Sequence, residues 1–224
     1  MLTVDFTFKE LDSIKSEINS FIEVEFNILD ELERNNLRFV LKKLVFLKYL
    51  VRQSDGDFRY QALISDIMYL ISSIKKGETR YYYFNLRSII EQALRIINNI
   101  NSTDTITNSD IMEKTKELIE ANKLVINLDI IKDEYKTSCL YVHGSENANM
   151  NLAEFYDSCI NHNNQLENIH QKLTVLIKLL KKLFDLILII QNPIVDAAFH
   201  RRKSILKFLV GDQSYSNFRQ FKAV

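Results

Sequence analysis

Apolar residues recur along most of this chain three and four positions apart, with Glu, Lys and Asn between them. That spacing gives an α-helix one buried face. Ile14, Ile18, Phe21, Ile22, Leu29 and Leu32 mark out the first such stripe. The pattern predicts further helices over residues 36–51, 58–74 and 79–100, with turns at "RQSDGD" and "KKGE" between them. The polar run "NSTDTITNSD", residues 101–110, reads as a loop rich in capping residues, and shorter helices follow over 111–123 and 129–143. One long helix is expected from about 152 to 191, ended by Pro193, then a last helix over 194–210 and a polar tail over 211–224. No segment demands a strand, and no internal repeat is visible.

Composition strengthens the helical reading. Four glycines and one proline in 224 residues leave few positions suited to turns that need a positive φ. The expected fold is therefore all-α: a single helical domain over 1–224, a bundle with a long apolar helix toward the carboxyl end. The 29 basic and 29 acidic residues cancel, so no overall field draws the chain to nucleic acid or membrane, and any such binding is local. Cys139 and Cys159 give neither a metal spacing nor a disulfide framework. His162 and His170 are eight positions apart and His200 stands alone, so no metal is expected. The opening "MLTVDFTFKELDS" carries acids early and lacks the apolar core of an export signal, which points to a cytoplasmic protein.

The stretch "LTVLIKLLKKLFDLILII", residues 173–190, is long enough to raise the question of a membrane span. Lys178, Lys181, Lys182 and Asp185 fall at i, i+3, i+4 and i+7, which gathers every charge onto one stripe. Four charges within a bilayer are costly, so the helix is expected in a bundle or subunit interface, without membrane contact. At 1.5 Å per residue a helix over 152–191 would reach roughly 60 Å. Its apolar half exceeds what one small chain readily covers, which predicts a two-fold homodimer.

Two constellations carry candidate chemistry. In "RYYYFNLRSIIEQALR", Arg87, Glu91 and Arg95 follow at four-residue steps, with Glu91 placed ahead of Arg95 in the better order for a helical ion pair. Tyr81, Tyr82 and Tyr83 just upstream offer rings suited to base stacking. In "TSCLYVHGSEN" a helix ends on His143, and Gly144 is the residue type that accepts a left-handed conformation past a helix end. Lys136, Cys139 and His143 share one face, and the carbonyls of the last turn favour a protonated imidazole. The basic "HRRK", residues 200–203, is a further candidate contact, although four consecutive helical positions splay around the axis. Each feature also has a plain structural account: a helix-ending histidine, a solvated stripe, a solvated basic surface.

A helix carrying "RSIIEQALR", followed by one ending "YKTSCLYVHG" and backed by a long apolar helix, resembles the HEPN superfamily (higher eukaryote and prokaryote nucleotide-binding domains), with the core over about 57–191. The resemblance implies a helical bundle that usually dimerises. It implies metal-independent RNA cleavage, without a cofactor, in toxin–antitoxin, abortive-infection or CRISPR-linked defence. The family's motif is an arginine, four to six residues, then a histidine. Here Lys136 stands where the arginine would be, a point charge without the guanidinium fork, and Arg87 on the neighbouring helix is the other candidate cation. The resemblance then gives His143 the proton transfers and Arg87 or Lys136 the phosphate charge, with Glu91, Arg95 and Tyr141 in support. Tyr82, Arg201 and Arg202 would touch RNA, and an antitoxin or defence-complex protein would be the partner. The alternative class is a non-catalytic binding or regulatory subunit in which Arg87, Glu91 and His143 form a structural polar network.

Overall fold

The computed structural model describes residues 2–54, 56–101, 103–143, 153 and 168–222. Among them are ten helices and no strand. They are α1 Leu2–Glu25, α2 Glu31–Gln53, α3 Phe58–Lys76, α4 Thr79–Ile97, α5 Asn108–Ala121 and α6 Asp129–His143. After these come α7 Ile169–Ile190, α8 Asn192–Ala198, α9 Lys203–Val210 and α10 Asp212–Lys222. The all-α fold is as the periodicity predicts. Where one domain was expected, with a core over 57–191, the chain divides into two compact units: residues 1–61 with 173–224, and residues 62–172.

In the first unit, α1 packs on α2, and α2 also packs on α8 and α9. Leu29 and Leu32 do not continue the stripe of α1. Asp30 starts a new helix with a capping box, its side chain accepting from the Glu33 amide at 2.8 Å while Glu33 accepts from the Asp30 amide at 3.2 Å. Phe46 anchors the core, stacked on Phe199 at 5.7 Å and edge-on to Phe184 at 5.9 Å between ring centres.

Residue 152 and residues 154–167 of the expected long helix lie outside the described residues. Asn168 takes φ 54°, a left-handed conformation that no α-helix passes through, so α7 begins afresh at Ile169 and runs for 22 residues. Its Leu176, Leu180, Leu183 and Ile187 side chains are fully buried within the chain. That burial removes the exposed face from which a homodimer was argued. Lys178 and Lys181 are exposed and Lys182 and Asp185 half-buried, as the stripe predicted. No helix among the described residues is long and apolar enough to cross a membrane.

The carboxyl end departs furthest from expectation. Residues 194–210 are not one helix, because a turn at 199–202 separates α8 from α9. Nor is 211–224 a polar tail. Gly211 at φ 91° breaks the chain direction, α10 follows, its Phe218 is fully buried, and Ser214 Oγ donates to Asp185 Oδ1 at 2.5 Å.

In the second unit, α4 packs on α6 and on α5. Leu86, Ile89, Ile90, Ala93 and Leu94 are buried, each large apolar side chain contributing about 1.5–3 kcal/mol. α4 stops at Ile97 and not at 100. Asn99 takes φ 52°, and the Ile100 amide turns back to the Arg95 carbonyl at 2.9 Å, which closes the helix. α5 begins inside the run read as a loop, its N-cap Thr107 accepting from the Asp110 amide.

Candidate functional site: a polar network on α4, α5 and α6

The packing of α4 on α6 brings Arg87 and Glu91 against Tyr135, and α5 adds Asn108. Glu91 Oε1 accepts three hydrogen bonds: from Arg87 Nε at 2.9 Å, Asn108 Nδ2 at 2.8 Å and the Tyr135 hydroxyl at 3.1 Å. Asn108 Nδ2 also donates to the Tyr135 oxygen at 2.6 Å. The Arg87 guanidinium lies 5.7 Å from the centre of the Tyr135 ring. The Arg87 and Glu91 side chains are 24% and 26% exposed, so the pair is shielded yet reachable from solvent.

The electrostatics follow from that placement. Burial pulls the Arg87 guanidinium down, but the hydrogen bond and charge of Glu91 outweigh it and hold the group above its ordinary value. Burial, then the charge and hydrogen bond of Glu91, push the Tyr135 phenol up to about 12, with a hydrogen bond to Cys139 adding to the effect. Asp66, bound by Ser88 Oγ at 2.7 Å, is raised by burial against that hydrogen bond, with the Glu91 charge pushing the same way as burial. The result is a guanidinium ion-paired to a carboxylate, beside a phenol that keeps its proton. Among the described residues no three His, Cys, Asp or Glu gather into a metal site.

Arg87 and Glu91 are thus brought together, while the other expected residues scatter. Arg95 does not pair with Glu91; its Nη1 donates to the Asn101 carbonyl at 2.8 Å and its Nη2 to the Asp104 carbonyl at 3.3 Å, fastening the loop after α4. Lys136 is exposed on α6, next in sequence to Tyr135. Tyr82 cannot stack on a base. It is 1% exposed, its phenol raised by burial, and its hydroxyl donates to the Lys172 carbonyl at 3.4 Å. Tyr141 lies in a separate aromatic cluster, its ring stacked on Tyr83 at 3.9 Å, and Lys172 Nζ donates to the Tyr83 hydroxyl.

His143 is the last residue of α6; its side chain, with Gly144, lies outside the described residues. Arg201 and Arg202 belong to the other unit and lie in the α8–α9 turn rather than along a helix. Arg201 is exposed, whereas Arg202 Nε is paired with Glu10 at 2.9 Å. Asn108 and Tyr135 were missed from sequence. Asn108 sits in the run read as loop, and Tyr135 is one aromatic among many with no spacing that ties it to Glu91.

Compared with known protein families, curated proteins and solved structures, the chain matches none.

Proposed function

We propose that the chain is a HEPN-like, metal-independent RNA endonuclease of a toxin–antitoxin or phage-defence system, in which Arg87 takes the part of the missing motif arginine. The supporting observation is the seat of Arg87 on α6: its guanidinium covers Tyr135, Cys139 stands one turn further along that helix, and His143 one turn beyond Cys139. Cleavage without a metal needs a group to take the 2′-hydroxyl proton, a group to protonate the leaving oxygen, and a cation for the developing phosphorane charge. His143 supplies the proton transfers and Arg87 the charge, oriented by Glu91. A homodimer that brings two His143 side chains to one cleft belongs to this reading, and light scattering at micromolar concentration measures it.

The test is cleavage of single-stranded RNA by the purified chain in chelator. Activity that falls about 100-fold in both His143→Ala and Arg87→Ala is the expected result, a size typical for loss of a general acid–base group and of a charge-stabilising group respectively. Cleavage unchanged in both variants, or absent from the unaltered chain, sinks the proposal.

The non-catalytic reading has its own support. Glu91 already neutralises Arg87, and its three donors make a satisfied network of a structural kind. On that reading, expression does not arrest growth in a manner dependent on His143, and Arg87→Ala changes stability alone.

A further inference from the structure

α1 and α2 reverse into one another through a single tight turn. The Phe26 amide donates back to the Ile22 carbonyl at 2.9 Å and the Leu29 amide to the Phe26 carbonyl at 3.3 Å, so Asn27 and Ile28 stand at the corner. Phe26 is buried with its ring 6.1 Å from that of Phe21, which pins the turn to the core. Arg34 fastens the turn from the other side: its Nε donates to the Leu29 carbonyl at 2.9 Å and its Nη2 to the Asn27 carbonyl at 2.7 Å. Together with the Asp30–Glu33 capping box, these bonds hold the reversal in one shape. It lies wholly within the first unit.

What this rigid tip presents to water is apolar. Ile28 is 91% exposed, Val24 in the last turn of α1 is 73% exposed, and Leu32 in the first turn of α2 is 54% exposed. Turns favour Gly, Asn, Asp, Ser and Pro, so turn geometry gives no reason for a β-branched side chain at the corner. The bonds that hold the reversal come from the backbone and from Arg34, and Ile28 adds nothing to the core. Apolar residues exposed singly need no account, but three large ones around one reversal form a patch that marks a contact. An anchor already fixed in place loses little freedom on binding, which favours its use at the centre of an interface.

The charge around the patch selects its occupant. Residues 23–33, "EVEFNILDELE", carry five carboxylates and no basic residue. Glu31 stays exposed even where it accepts from Arg38, and Arg34 turns its guanidinium onto the turn carbonyls. Such a rim repels nucleic acid and an anionic lipid surface, and a second copy of the tip would set carboxylate against carboxylate. The complement is an apolar stripe flanked by Lys and Arg. We propose that the α1–α2 tip docks on a basic amphipathic helix of a partner protein, with Ile28 seated among its apolar side chains, Val24 and Leu32 beside it, and Glu23 and Glu31 toward its cations. The surface goes beyond the cleavage reading and involves neither His143 nor Arg87.

The test is fluorescence anisotropy of a labelled peptide of about 18 residues, with Leu and Lys set at helical periodicity, titrated with the full chain. A second peptide carries Glu at every Lys. The Leu/Lys peptide is expected to bind at least about 10-fold more tightly than the Leu/Glu peptide. Ile28→Ser is expected to weaken its binding about 10-fold, the size for one large apolar side chain withdrawn from a contact, and Ile28→Leu to keep it within about threefold. Added salt should weaken binding to the unaltered chain more than to the double variant Glu23→Gln, Glu31→Gln. All of these side chains are exposed, so the variants should keep the fold, which far-UV dichroism verifies. No binding of the Leu/Lys peptide at millimolar concentration overturns the proposal, as does binding unmoved by Ile28→Ser, or equal binding of the Leu/Glu peptide. Two further outcomes overturn it by naming another occupant: binding of phosphatidylcholine vesicles that Ile28→Ser abolishes, or self-association of the full chain that Ile28→Ser abolishes in light scattering. The readout is binding at the first unit, so a chain without nuclease activity leaves the result intact, and nuclease activity without peptide binding sinks this surface alone.

Discussion

Arg87 Nε donates to Glu91 Oε1 across 2.9 Å, one turn further along α4, and the receiving oxygen also serves Asn108 and Tyr135. Removing it takes the shared acceptor from three donors at once. Glu91→Ala is therefore expected to cost about 1–3 kcal/mol, read as a lower urea midpoint at unchanged m. Glu91→Gln keeps an acceptor and should lose less. In both, the Tyr135 phenol loses the charge that helps hold it near 12 and titrates closer to the usual tyrosine value, which an ultraviolet pH titration follows. A Tyr135 value unmoved in Glu91→Gln would show that the Glu91 charge does not set it.

The choice between Arg87 and Lys136 as the phosphate cation is also open to measurement. Lys136 is exposed and its charge is screened, whereas Arg87 is three-quarters covered and held by Glu91. The expected order is a fall of about 100-fold in RNA cleavage for Arg87→Ala and less than about threefold for Lys136→Ala. The reverse order would assign the role to Lys136.

α10 yields the clearest stability prediction. Phe218 is fully buried, so Phe218→Ala is expected to cost about 3–5 kcal/mol in urea denaturation. A polar tail would give almost no change.

These cases show what the sequence held and what it hid. Periodicity placed α2, α3, α4 and α6 because each presents a dense apolar stripe to a partner. It missed α10, since "DQSYSNFRQFK" buries one phenylalanine and is otherwise polar, too sparse a pattern to stand out. The helix ends at Asn99 and the break at Asn168 were missed for a related reason: positive φ was sought at glycine, yet asparagine also tolerates it. Tyr82 was legible after all. It lies four, seven and eleven positions from Leu86, Ile89 and Ala93, on the buried face, while Tyr81 and Phe84 fall outside that face. Glu91 was not legible in this way, because its choice of Arg87 over Arg95 depends on Asn108 and Tyr135, which only the tertiary packing brings near.

The buried ammonium of Lys43 carries the last prediction. Its side chain is enclosed between the Phe39 and Phe184 rings, and Nζ donates to the Leu209 and Val210 carbonyls at 3.2 and 3.4 Å. Burial lowers its pKa from 10.5 to about 8; Asp185 works against the shift, and Lys42 and Lys181 add to it. Below pH 8 both folded and unfolded chains carry this proton, and the cost of the buried charge is fully present. Between pH 8 and 10.5 the folded chain has released the proton and the unfolded chain still holds it, so stability rises with pH through that window. The slope approaches at most about 1.4 kcal/mol per pH unit, the limit for one proton. Above pH 10 the effect is opposed by phenols such as Tyr60, pushed up to about 12 by burial, which keep their protons only in the folded chain. Urea denaturation between pH 7.5 and 9.5 therefore reads Lys43, together with Lys42, which burial and the Arg38 charge lower in the same direction. The expected result is a midpoint that rises over this interval and becomes flatter in Lys43→Met, where an apolar side chain of similar length replaces the ammonium. An equal rise in the methionine variant would assign the titration to another group.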